Sequence, residues 1–157
     1  MNDNVSIRAA QVRDIASIAG LLTQLNAGEG YSIISEPDAL AAALFADVRE
    51  VNLHAFVAEH ENEIIGTLLY YAGYDTLSAS VGYHLADMVV HDRHRRAGVG
   101  KALMQALANV TQAENKAWVS LTAMKDNAAA QAFYSALGMT RVNVDFFAIG
   151  KSALTQM

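Results

Sequence analysis

The stretch that decides the fold covers residues 85–101 and reads LADMVVHDRHRRAGVGK. Its first six residues are mostly apolar, which is typical of a buried strand. Glycines follow at positions 98 and 100, and apolar residues then recur at helical spacing over residues 99–110. The stretch therefore predicts a strand, a loop rich in glycine and cations, and a helix.

Such a loop is suited to binding an anion. The first backbone N–H groups of a helix have no partner within the helix and lie at the positive end of its dipole. Gly98 and Gly100 allow the backbone to approach a ligand closely. Arg95, Arg96 and Lys101 can add charge-assisted hydrogen bonds. A basic loop that only contacts solvent is the alternative interpretation.

Two common phosphate-binding motifs do not match the loop. A P-loop needs four residues between its first glycine and a Gly-Lys-Ser/Thr end, whereas Gly98-Val99-Gly100-Lys101-Ala102 lacks both the spacing and the hydroxyl. A dinucleotide-binding fingerprint needs a small residue where Leu103 stands. The loop is therefore of another type.

The segments on either side predict alternating strands and helices. We predict strands at 5–9, 53–59, 64–71, 85–90 and 118–122, and one or two strands within 139–149. We predict helices at 12–25, 36–48, 99–110 and 127–137, with Ser35 and Asp126 as caps of the second and fourth. The order β-α-α-β-β-β-α-β-α-β indicates an α/β or α+β fold around a mixed sheet.

The composition is that of a folded protein. The chain has 157 residues, of which 53% are hydrophobic and 17% charged, so we expect a single domain over residues 1–157. The apolar runs are too short for a membrane span, and the start Met1-Asn2-Asp3-Asn4 does not resemble a signal peptide. There is no cysteine. We expect a cytoplasmic protein.

The charge restricts the expected partners. A net charge of −5 argues against binding to nucleic acid or to an anionic membrane. The Asp, Glu and His spacings do not suggest a metal site. The basic cluster at residues 93–101 indicates one anionic ligand rather than a polyanion.

Two motifs in the chain resemble those of a known family. The pattern Arg95-x-x-Gly98-x-Gly100 resembles the pyrophosphate-binding motif of the GNAT superfamily of N-acetyltransferases. Residues 127–139, which read NAAAQAFYSALGM, are similar to the family's second signature, N-x-x-A-x-x-F-Y-x-x-x-G-F. The resemblance implies a mixed central sheet of six or seven strands with about four helices.

The resemblance also implies roles for individual residues. Acetyl-CoA would be the co-substrate, with its pyrophosphate held by Arg95, Arg96, Ala97, Gly98, Val99, Gly100 and Lys101. Backbone groups of Met88, Val89 and Val90 would contact the pantetheine arm and the acetyl carbonyl. Asn127 would contact the same arm, unless it only starts a helix. Tyr134 would protonate the leaving thiolate, and a core tyrosine is the alternative.

The general base is open between two residues. Some relatives carry a glutamate on the strand before the phosphate loop, where this chain has Ala86. Strand alternation predicts that His84, Ala86 and Met88 share one face and that Asp87 lies on the other. Either His84 or Asp87 could accept the proton of the amine.

The acceptor is expected to be an amine on a small molecule or a peptide. Family members often bind it between their first two helices, so Glu29 and Tyr31 are candidate contacts. Transfer would be direct, in a ternary complex, because the chain has no cysteine nucleophile and the family does not require a covalent intermediate. A homodimer is expected by analogy. A catalytically silent acyl-CoA-binding module is the alternative function.

Overall fold

Five strands form one sheet in the order in which they occur along the chain, β1-β2-β3-β4-β5. They are β1 (Val5–Ala9), β2 (Leu53–His60), β3 (Glu63–Asp75), β4 (Ser80–Val90) and β5 (Val119–Leu121). Neighbouring strands are antiparallel, except that β4 and β5 are parallel and are joined by a helix. The predicted mixed α/β architecture is confirmed, with five strands in the described residues rather than six or seven.

This computed structural model describes residues 4–28, 30, 34–47, 52–149 and 154. The chain divides into two compact units, Met1–Thr122 and Ala123–Met157. The first unit holds the sheet and three helices, α1 (Ile15–Gly28), α2 (Pro37–Phe45) and α3 (Val99–Ala113), and the second holds α4 (Ala128–Ala136). None of these helices is both long and apolar enough to span a membrane.

The sheet of the first unit is covered by helices on both faces. One cluster of buried side chains joins α1 and Leu44 of α2 to Val57, Leu69 and Val89 of the sheet. A second cluster, on the opposite face, joins α3 to Leu68 and Leu85. We call these the α1 face and the α3 face of the sheet.

Helix α3 shows how the sequence pattern produces the packing. Val99, Leu103 and Leu107 recur every four residues, so they form one stripe, and each is almost completely buried. Burial of three such side chains contributes roughly 1.5–3 kcal/mol each. This packing fixes the start of α3 against the sheet.

A buried ion pair fixes the end of β1 to the start of α1. Asp14 is 4% exposed, and its carboxylate accepts from both terminal nitrogens of Arg8, at 2.6 and 2.9 Å. The Arg8 Nε also donates to Glu59 of β2. These bonds hold the pKa of Asp14 below its usual range, because they stabilise the charged carboxylate.

Three predictions about secondary-structure elements were wrong, two about helix caps and one about a strand. Helix α2 begins at Pro37 with Glu36 in the N-cap position, so Ser35 lies one residue too early to cap it, and the Ser35 backbone N–H donates to the Thr23 hydroxyl. Asn127, not Asp126, caps α4, since its side chain accepts from the Ala130 N–H. Residues 139–149 contain no strand. Alternating apolar residues favour a strand only when a neighbouring strand pairs with them, and Val142, Val144 and Phe146 are exposed.

Candidate active site

Strands β4 and β5 pair over only three positions and then part. The register joins Tyr83 to Val119, His84 to Ser120 and Leu85 to Leu121. Strand β4 continues for five residues to Val90, whereas β5 ends at Leu121. Within the described residues, the edge of β4 beyond Leu85 therefore has no sheet partner. Its backbone groups on that side are available to hydrogen-bond a ligand in extended conformation.

A bulge lies at the point where the two strands part. Leu69 of β3 pairs with Asp87 and Tyr70 pairs with Leu85, so Ala86 is the extra residue on β4. A bulge bends its strand and changes where the following side chains point.

The bulge overturns the predicted alternation along β4. Directly paired residues share a face of a sheet, so Asp87 lies with Leu69 on the α1 face and Met88 lies with Leu68 on the α3 face. His84 pairs with Tyr71, two residues beyond Leu69, and therefore also lies on the α1 face. His84 and Asp87 thus share a face, and His84 does not share one with Met88. Side chains of a strand alternate between its two faces, and the extra residue, Ala86, shifts this alternation by one position.

Beyond β4 the chain turns into the start of α3. Arg95 is exposed but tethered: its Nε donates to the Val90 carbonyl at 3.1 Å, and its Nη2 lies 2.9 Å from the Asp92 carboxylate. Gly98 has φ of +87°, a conformation that favours glycine, and it precedes the first residue of α3. Arg95 therefore ties the loop to the end of β4, and Gly98 turns the chain into the helix.

The start of α3 offers unfilled hydrogen-bond donors. No side chain caps this helix end, and the first turn carries no acidic residue. The backbone N–H groups of Val99, Gly100 and Lys101 therefore lack helical partners. Arg96 and Lys101 are exposed beside them, and neither has an ion-pair partner among the described residues. Unfilled donors, a helix dipole and two cations suit a pyrophosphate.

The residues expected to hold the pantetheine arm lie next to this anion site. Val89 is buried on the α1 face, whereas Met88 and Val90 pack partly on the α3 face. Their side chains are thus taken up in packing, and their backbone edge lies in the part of β4 without a β5 partner. Ala97 also packs against the α3-face cluster. The site therefore fits an extended chain ending in phosphates.

We call the point where the pairing of β4 and β5 ends the fork. Two titratable side chains lie near it on the α1 face. Burial raises the pKa of the Asp87 carboxyl and lowers the pKa of His84, because desolvation disfavours each charged form. His84 Nδ1 lies 3.0 Å from the Ser120 hydroxyl, and its ring contacts the Tyr71 ring with centroids 5.2 Å apart. A neutral imidazole in this position is able to accept a proton.

Asn127 and Tyr134 both lie in the second unit. Asn127 is the cap of α4, with its side-chain oxygen 3.0 Å from the Ala130 N–H. This bond supports its role as a helix-start residue and leaves the amide nitrogen for other contacts. Tyr134 is half-buried, and its ring meets Phe133 edge-on at 5.2 Å. The role of Tyr134 as a proton donor remains a prediction from the motif.

The structure does not describe the two residues that are expected to contact the acceptor. Glu29 and Tyr31 lie outside the residues that the structure describes. Tyr70 and Tyr83 are core residues of the α3 face, and Tyr74 is exposed. In the described part of the chain, no group of three His, Asp or Glu side chains is placed to hold a metal ion.

The sequence did not predict two features of the region where β4 and β5 pair. Ser120 looked like any residue of a short strand, and only the β4–β5 register places it beside His84. Trp118, just before β5, packs against Gly73 and Gly82, which face each other across β3 and β4. Both glycines lie outside the predicted strands 64–71 and 85–90, which the structure extends to include them, so the sign that a glycine within a strand gives of such a close approach was not recognised. Among the described residues no group accepts from the Trp118 Nε1, so packing alone holds the ring.

Comparisons with known proteins agree with this geometry. The acetyltransferase (GNAT) family profile matches residues 22–139. A mycothiol acetyltransferase from Parafrankia sp. (strain EAN1pec) is 32% identical over 141 residues, which are 88% of this chain and 39% of that protein. The chain thus spans about two fifths of the length of this curated relative.

Solved structures show the same fold. An aminoglycoside acetyltransferase from an uncultured soil metagenomic sample superposes with a TM-score of 0.79 at 23% identity, covering 96% of this chain and 99% of that one. A ribosomal-protein-alanine N-acetyltransferase from Brucella melitensis biovar Abortus 2308 gives a TM-score of 0.74 at 20% identity, covering 93% and 98%. With the family match extending over most of the sequence, the chain belongs to the GNAT family of acetyltransferases.

Proposed function

We propose that this protein is an acetyl-CoA-dependent N-acetyltransferase, which transfers the acetyl group directly to an amine while both substrates are bound. One observation supports it most strongly. The edge of β4 that has no strand partner is followed, after a loop, by the N-terminus of α3, which no side chain caps. A strand edge followed along the chain by a helix N-terminus is able to bind a ligand in which an extended amide chain is attached to a pyrophosphate.

The protein's contribution to binding is backbone hydrogen bonding and charge. The N–H groups of Val99, Gly100 and Lys101 would hold phosphate oxygens, with Arg96 and Lys101 neutralising their charge. Backbone groups of β4 from Met88 to Val90 would align the amide chain along the strand. When bound, acetyl-CoA supplies an acetyl group activated as a thioester, so no protein nucleophile is required.

Two residues are candidates for taking the proton of the amine. An ordinary alkylamine has a pKa near 10.4, so deprotonating it at neutral pH requires roughly 4–5 kcal/mol. His84 and Asp87 both lie on the α1 face at the fork. Burial lowers the pKa of His84, which favours its neutral imidazole, and raises the pKa of Asp87, which makes its carboxylate more basic. Either group could therefore accept a proton near neutral pH.

The remaining assignments rest on the family motif. The Tyr134 phenol would protonate the leaving sulfur, in keeping with its place in the second signature. The names of the three relatives above refer to different compounds, an aminoglycoside, a ribosomal-protein alanine and mycothiol, and this range supports no more than an amine acceptor. The net charge of −5 favours a cationic one.

The test is thiol release from acetyl-CoA in the presence of a panel of amines, followed with a chromogenic disulfide. The protein has no cysteine, so it contributes no thiol of its own. Amine-dependent release is expected from the wild type. Gly98→Val, which puts a branched side chain at φ +87°, should abolish it, and Gly20→Ala on α1 should not. Acetyl-CoA binding without release on any amine would instead identify a silent binding module.

A further inference from the structure

The fork between β4 and β5 holds a hydrogen-bonded pair of side chains on its α1 face. His84 and Ser120 occupy the middle of the three paired positions, one step before the strands part. Their side chains meet at 3.0 Å, between His84 Nδ1 and the Ser120 Oγ. The Tyr71 ring lies against the imidazole, tilted by 48°. The imidazole is therefore held by a neighbour on each adjacent strand.

We propose that Ser120 is a positioning residue for the transfer reaction: its Oγ accepts the His84 Nδ1–H, which leaves the Nε2 lone pair to take the proton of the acceptor amine. The inference rests on the proposed function and selects His84 over Asp87 as the base. A neutral imidazole carries one N–H, so fixing it on Nδ1 decides which nitrogen is basic.

The step balances in atoms and charge. The amine nitrogen forms a bond to the acetyl carbon, the carbon–sulfur bond breaks, and the electron pair leaves with sulfur. One proton of the ammonium passes to His84 Nε2 and makes an imidazolium, whose Nδ1–H remains on Ser120, and the nitrogen loses its second proton to solvent as the amide forms. The sulfur receives a proton from a separate donor, and the imidazolium returns its proton to solvent.

The surroundings of the pair favour a neutral resting state. Asp87 on the same strand and the Tyr71 phenol on β3 share this face with His84. Helix α1, which packs against β4 on the same face, contains no acidic, basic or histidine residue. Burial also lowers the pKa of His84. Desolvation therefore disfavours the imidazolium before the amine arrives.

The first readout is the tautomer of His84, measured by ¹⁵N NMR of histidine-labelled protein. The chain has five histidines, and His84→Gln assigns the signal. We expect the Nδ1–H form in the wild type. Ser120→Ala should shift the balance toward Nε2–H, and Ser120→Thr, which keeps a hydroxyl, should restore it. An Nε2–H form in the wild type, or no change in Ser120→Ala, would overturn the proposal.

The second readout is kinetic. Loss of one neutral hydrogen bond should lower kcat about threefold to tenfold in Ser120→Ala, with KM for acetyl-CoA unchanged. Ser120→Thr should recover the rate, and Ser17→Ala, an exposed serine of α1, should match the wild type. If Ser120→Ala keeps full kcat while the wild type is active, the positioning role alone fails. If the wild type releases no thiol with any amine, the proposed function itself fails, and this inference with it.

Discussion

Alanine substitutions at the two glycines that contact Trp118, and at a third glycine that does not, should differ in their effect on stability. A Cβ placed on Gly82 would lie 2.5 Å from the Trp118 Cε2 and closer still to two other ring atoms, whereas carbon atoms in contact are normally 3.5–4.0 Å apart. At Gly73 the nearest ring atom would be 3.0 Å away, and at Gly20 nothing lies within 4 Å. The same substitution, glycine to alanine, therefore meets severe, moderate and no overlap.

The expected changes in unfolding free energy follow from these distances. Gly82→Ala must push the indole ring aside by more than ~1 Å. Overpacking typically costs 1–3 kcal/mol, and complete loss of a buried Trp costs roughly 3–5 kcal/mol, so we expect a loss of about 2–4 kcal/mol. Gly73→Ala should lose about 1 kcal/mol, because only the edge of the ring must yield. Gly20→Ala, in a helix, should gain roughly 0.5–1 kcal/mol.

Urea unfolding followed by Trp118 fluorescence measures all three variants with one probe, because the chain has a single tryptophan. The order of stability should be Gly20→Ala, wild type, Gly73→Ala and Gly82→Ala. A Gly82→Ala protein within 1 kcal/mol of the wild type would refute the packing of Trp118 against β4, and with it the described start of β5.

Three further predictions concern charge and chemistry. Asp14→Asn should cost about 1.5–3 kcal/mol, because it removes the carboxylate that accepts from both terminal nitrogens of Arg8 and leaves Glu59 as the partner of this guanidinium. Because the pKa of Asp14 is lowered in the fold, this contribution is present above about pH 4 and lost as the pH falls further. Chemical unfolding at pH 7 and pH 3 checks both, and equal losses at the two pH values would contradict it. Arg96→Gly, at φ 62°, should keep or raise the unfolding free energy by relieving strain yet weaken coenzyme A binding about tenfold; calorimetry showing unchanged affinity would remove Arg96 from the site. Tyr134→Phe should lower kcat roughly a hundredfold with coenzyme A affinity unchanged, and an unchanged kcat would remove Tyr134 from the mechanism.

Local patterns predicted most of the elements because each depends on neighbouring residues. The apolar stripe of α3 and the polar turn between β2 and β3 are visible in the sequence, and both elements form within a few residues of their predicted bounds. The loop before α3 was predictable for the same reason, since its glycines and cations lie close together in the sequence.

The predictions that failed depend on contacts distant in the sequence. No residue type signals that Ala86 is an extra residue in β4, because the bulge is defined only by pairing with Leu69 and Tyr70. The shared face of His84 and Asp87, and the contact of His84 with Ser120, follow from that pairing. Residues 139–149 have the alternation of a strand without a strand partner.

The central claim is that the edge of β4 and the start of α3 bind the coenzyme. Titration of ¹⁵N-labelled protein with coenzyme A tests it directly, by following backbone amide shifts. The largest shifts should fall on the amides of residues 88–90 and 98–101, with saturation. Saturable binding whose largest shifts lie elsewhere, or no binding at all, would contradict the account.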